Sequence, residues 1–132
     1  MESIALICLV SHPKLDPTSV SQRLDLKPYL LQTAGQQVVT PKGTATGSNY
    51  AQSKWGYKTE VAEIGELDRR LTELVDRLYA SKQFIREIST SGGRVRVFMN
   101  LPNPGAFALE VPPEILRKLA DMGIHFGLEI FR

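Results

Sequence analysis

At 132 residues, with 42% hydrophobic and 23% charged side chains, the chain has the size and balance of one ordinary globular domain, which excludes a disordered tail and a disulfide scaffold. Its net charge of +2 does not call for a nucleic-acid partner unless the basic residues cluster. The single cysteine, Cys8, has no internal mate for a disulfide, and a soluble cytoplasmic setting is the expectation.

The chain opens on "MESIALICLVSHPK". Its apolar run, Ile4–Val10, is far shorter than the roughly 20 residues of a membrane span, and Glu2 stands where a leader would carry a basic residue. Branched residues through the run predict a central strand covered on both faces. A helix follows, with Asp16 as N-cap, Pro17 at the first helical position, Val20 and Leu24 as apolar stripe, and Pro28 as terminator. Gln36–Thr40 reads as a short strand, and the polar, turn-rich Pro41–Gln52 as a mobile loop.

Lys54–Glu60 alternates as a strand. Trp55, Tyr57 and Thr59 share one face, and Lys54, Gly56 and Lys58 the other. That pattern marks Trp55 as a core plug whose indole N–H needs a partner. From Glu66 the period becomes helical, with Leu67, Leu71, Leu74, Val75 and Leu78 in one stripe. The stripe loses phase near Ala80–Lys82, which predicts a break, with Ser81 capping a second piece that carries Phe84, Ile85 and Ile88.

Arg94–Met99 alternates again, with Val95, Val97 and Met99 inward and Arg94, Arg96 and Phe98 outward. A corner at Leu101–Ala106 leads to an expected strand at Phe107–Glu110, and "PPEILRKLADMG" to a helix closed by Gly123. The last strand places Ile124, Phe126, Leu128 and Ile130 inward, and His125, Gly127, Glu129 and Phe131 outward. The expected succession is β-α-β-β-α-β-β-α-β over a single domain, 1–132. It describes an α+β fold in which a largely antiparallel sheet has helices packed on one face, in a ferredoxin-like layout.

Four stretches are shared with a known family: "LDPTSVSQRLDLKP" after an apolar first strand, "KWGYKT" after a polar loop, the leucine-striped helix, and "GRVRVFMN" with "GAFALEVPPEILRKLADMGIHFGLEIF" at the end. On these the chain resembles the domain-of-unknown-function 4279 family, small and mainly bacterial proteins. The resemblance implies the fold and brings no activity with it.

Motifs that carry chemistry are few. No HExxH, GxSxG, phosphate-binding loop or paired-cysteine spacing occurs, and two histidines with one cysteine do not make a zinc site. No metal and no cofactor is expected. The constellation with most content is Arg94, Arg96 and Phe98 with His125, Glu129 and Phe131, which share one sheet face if their strands are neighbours. Arginine and aromatics are enriched at binding hot spots, so this face is the candidate interface, and a homodimer the expected use, with Arg96 of one copy reaching Glu129 of the other. The leading expectation is a non-enzymatic binding or interaction module, for which an immunity-like, partner-neutralising role is one form. An enzyme acting on an anionic substrate through His12 with Arg94 or Arg96 is the alternative. An RNA-binding sheet is the second, although "GGRVRVFMN" does not match the RNA-recognition pattern.

Overall fold

In the computed structural model, which describes residues 3–131, a mixed sheet is built outward from the first strand. That strand, β1 (Ala5–His12), is flanked antiparallel by β5 (Ser53–Glu60) and β6 (Arg94–Pro102). The short β2 (Leu30–Gln32) extends the sheet antiparallel beyond β5, and β7 (His125–Phe131) extends it parallel beyond β6, giving the order β2-β5-β1-β6-β7. A separate ribbon pairs β3 (Gln37–Val39) with β4 (Ala45–Asn49). Helices α1 (Pro17–Leu24), α2 (Leu67–Tyr79), α3 (Lys82–Thr90) and α4 (Pro113–Met122) complete the chain. Their apolar stripes pack against Leu6, Cys8, Val10, Trp55, Val95, Val97, Met99 and Leu101, which all point to one side of the sheet. The α+β class with a mostly antiparallel sheet is therefore found. The observed strand order does not bear out the ferredoxin-like layout.

The element succession also differs from expectation, and each difference has a local cause. Residues 107–110 form no strand. Phe107, Leu109 and Val111 lie half-buried on the core while Ala108 and Glu110 stand out, so an extended strap without a sheet partner shows the alternation of a strand. The stretch expected as a loop contains β4, wholly exposed and held by backbone pairing and a turn at Gly43, whose φ is +85°. No apolar pattern signals it. Helix α1 stops at Leu24, before Pro28 can act, because Asp25 turns into the left-handed region (φ 52°, ψ 47°) and its N–H closes on the Ser21 carbonyl. Leu128 and Ile130, expected inward, are exposed, since β7 is an edge strand that runs out from under its helix.

Other local readings hold. The Asp16 carboxylate accepts from the Thr18 N–H at 3.0 Å, and Gly123 ends α4 at φ 72°. The helical break falls at Ala80–Ser81, but the Ser81 hydroxyl donates to the Arg23 carbonyl at 3.3 Å instead of capping α3. Trp55 is fully buried under α1, and its indole Nε1–H donates to the Ser21 hydroxyl at 2.8 Å. The Cys8 thiol lies in the same core, where burial pushes its pKa up to about 12, so it holds its proton and is inert. Among the described residues no helix is long and apolar enough to cross a membrane.

Candidate functional site

The sheet face turned away from the helices is the candidate site. Strand registers fix what it displays, because residues paired across a ladder point to the same side. One row runs Lys54, Ser11, Arg94. The next runs Leu30, Gly56, Leu9, Arg96, His125, and the third Lys58, Ile7, Phe98, Gly127. The fourth runs Glu60, Ala5, Asn100, Glu129. One end of the face is thus cationic and the other acidic, over an apolar floor.

Parallel pairing of β6 with β7 supplies the adjacency on which the shared face depends, and brings Arg96, Phe98, His125, Glu129 and Phe131 onto it, with Arg94 beside them. One member behaves differently from expectation. Phe98 is not an outward ring: it is 8% exposed, closed in with Ala5, Ile7 and Leu9 as a small second core, and the Arg96 guanidinium lies 5.6 Å from its ring centre. Phe131 stands at the far end of the edge strand. Ala5, Ile7 and Phe98 are thus buried on the face that carries no helix, beneath their longer neighbours. Tyr29, at the opposite edge, is 54% exposed, and its phenol pKa is raised first by partial burial and then by the negative charge of Glu129.

Two adjoining hollows share Arg94 and Arg96. One, about 310 Å³, is walled by Leu9, Tyr29, Leu30, Gln52 and Lys54, and the other, about 260 Å³, by Phe98, His125, Gly127 and Glu129. Among the described residues, Lys54, Lys58, Arg94 and Arg96 make no ion pair, whereas five of the helix cations do, as in Arg69–Glu73 at 2.9 Å and Lys118–Asp76 at 2.7 Å, and Arg23, Lys82 and Arg117 do not. The Asn100 Oδ1, on the floor toward the acidic end, is buried with no hydrogen-bond donor among the described residues.

Sequence reasoning missed Tyr29, Leu9 and Lys54 as site residues. A usable signal was Gly56, a glycine inside a strand that otherwise alternates. A Cβ there would stand 2.8 Å from the Tyr29 ring and 3.0 Å from the Leu9 side chain. Gly56 lets the Tyr29 ring lie down across β5 as the wall of the hollow.

His12 does not join the site. Its Nδ1 accepts the backbone N–H groups of Lys14 and Leu15, both at 2.9 Å, which leaves the proton on Nε2 to donate to the Ser91 hydroxyl at 2.8 Å. Ser91 in turn donates to the Glu87 carbonyl. The ring is a tie between the end of β1 and the end of α3. It gives no support to catalysis with Arg94 or Arg96, whose side chains belong to the open face. A larger hollow of about 540 Å³ between Asp25, Tyr57, Arg70, Glu73 and Arg77 is largely self-neutralised, with Arg77 near Asp25 and Arg70 near Glu73. Among the described residues no group of histidine, cysteine and carboxylate side chains is arranged to hold a metal ion.

The family model described as a domain of unknown function (DUF4279) matches residues 3–131, nearly the whole chain, and the chain belongs to that family. No curated protein and no solved structure matches it.

Proposed function

We propose that this member of the family is a binding module without catalysis of its own, and that its working surface is the hollow open face of the sheet. The ligand class is a carboxylate or phosphate carried on a flat apolar body. One observation carries the reading: Lys54, Arg94 and Arg96 converge without carboxylate partners on a concavity floored by Leu9 and walled by Tyr29. Arginine suits this role because its planar fork meets carboxylate or phosphate with two parallel hydrogen bonds, while the apolar floor takes the body of the ligand. At the far end, the exposed Glu129 carboxylate orients such a ligand by accepting from an N–H group. An RNA strand is a poorer fit, because stacking needs exposed ring faces, and Phe98 in mid-sheet is buried.

The test is a titration of the isotope-labelled chain with phenyl phosphate, benzoate and uncharged benzamide, followed by amide chemical shifts. Shifts confined to the surroundings of Tyr29, Lys54, Arg94 and Arg96 are expected for the two anions. They disappear in the Arg94→Ala, Arg96→Ala double variant. Equal response to benzamide, or shifts spread over the helix lysines and arginines, overturns the reading.

A further inference from the structure

Among the described residues seven large hydrophobic side chains are left exposed; Tyr29, Leu31 and Val39 are scattered before, on and after the three-residue β2, and the other four gather at the opposite edge of the sheet. Leu128 (47% exposed), Ile130 (55%) and Phe131 (37%) all lie on β7, and Leu116 (48%) lies on α4 above it. At about 100° per residue, Ile115, Leu119 and Met122 define the inner side of α4, while Lys118 and Asp121 define the flank that meets α2 and α3 through Asp76, Tyr79 and Arg86. Leu116 falls on the opposite flank, over the free edge of the sheet. That edge is β7 itself, seven residues hydrogen-bonded to β6 on one side only. Edge strands are usually guarded by charged side chains, above all lysine, by proline or by a bulge; β7 has no lysine, proline or bulge, and Glu129 is its one carboxylate.

From this edge we infer that β7 pairs antiparallel with β7 of a second copy, on a two-fold axis through Gly127, joining two sheets into one. The register follows from the side chains. With Gly127 on the axis, His125 stands opposite Glu129 of the other copy, Phe126 opposite Leu128 and Ile124 opposite Ile130, each pair occurring twice. Inward residues meet inward residues and outward meet outward, as a continuous sheet requires. Centring on Leu128 would set Glu129 opposite Gly127 and lose the polar pair. Centring on Glu129 would set two carboxylates face to face. Gly127 leaves the axis uncrowded, its nearest neighbour for an added Cβ being Phe98 at 3.8 Å. On the helix side Leu116, Leu128 and Ile130 of each copy close the seam, so the self-contact expected on the open face moves to its edge. There, each copy places its Glu129 next to the other's His125, which lines the smaller hollow.

Sedimentation velocity on the full chain between about 5 and 200 μM tests it. A dimer is expected for the wild type, and a folded monomer, by circular dichroism and mass, for Ile130→Lys. His125→Glu and Glu129→His should each weaken the dimer roughly 2- to 30-fold, since symmetry removes two cross-strand pairs at once. The combined His125→Glu, Glu129→His variant should restore it, because the pair is remade with its members exchanged. A wild-type monomer at 200 μM overturns the inference, and so does a dimer indifferent to Ile130→Lys. A double variant as weak as the single ones overturns the register.

Discussion

Replacing Trp55 by alanine tests whether the sheet and α1 are held together as described. The indole is fully buried, and a buried aromatic of this kind removes about 150–250 Å² from water. At about 25 cal/mol per Å² that is roughly 4–6 kcal/mol, an upper figure because the unfolded chain is itself partly collapsed. Loss of the 2.8 Å bond to Ser21 adds about 1 kcal/mol, and partial closure of the cavity takes some back. The expected cost is about 4 kcal/mol, a large part of the roughly 5–15 kcal/mol that such a domain has. Urea unfolding followed by far-ultraviolet circular dichroism reads it. With a slope of about 1–3 kcal/mol per molar, the midpoint should fall by roughly 1.5–4 M. Ser21→Ala should cost less, about 1–2 kcal/mol, because it leaves the buried Nε1–H without an acceptor. A Trp55→Ala loss under about 1.5 kcal/mol would refute the reasoning. So would iodide quenching of wild-type fluorescence as efficient as that of free tryptophan.

Limited trypsin digestion should cut first after Lys42, at the tip of the β3–β4 ribbon, where no buried apolar contact opposes local opening; a first cut in α2, with Lys42 intact, would contradict this. Asp121 joins α4 to α2 and α3, and its pKa is lowered from 3.8, chiefly by the Tyr79 hydroxyl and then by Arg86. A carboxylate whose pKa is depressed by folding stabilises the fold above its unfolded pKa, and that contribution is lost as pH falls through the folded value. Asp121→Asn should therefore lower stability at pH 7 and flatten its decline below about pH 4, and melting curves from pH 2 to 7 that stay parallel for variant and wild type would show that the tie adds nothing.

The strand faces were legible because period-two alternation on β5, β6 and β7 is local information. Lys54 against Trp55 and Arg96 against Val97 fall where their neighbours in sequence place them. Strand neighbourhood is not local, and so the shared face of Arg96 and His125 could be stated only on the condition that β6 and β7 are adjacent. The burial of Phe98 is less local still. It rests on Ile7, its partner across the β1–β6 ladder, and on Leu9, residues about ninety positions earlier, and no pattern around Phe98 announces it. Conversely, the inward phase of Leu128 and Ile130 was read correctly while their burial was not, because phase depends on the strand and burial on how far α4 reaches along it. Tyr29 follows Pro28 in a stretch too short to show any period, and its place in the hollow rests on the missing Cβ of Gly56.

The position of β1 has a consequence for how the chain is made. The earliest strand of this sheet ends up innermost, with Ala5 paired to Glu60 on one side and to Asn100 on the other. During synthesis its apolar run leaves the ribosome long before either flank exists, and its second flank is completed only when β6 has been made through Pro102. Contacts so distant in sequence close slowly, and an apolar strand without flanks is what a growing chain presents to its neighbours meanwhile. A nascent chain stalled between β5 and β6 would carry that strand with one side bare. Such chains, rather than the finished protein, are where chaperone capture and aggregation will concentrate.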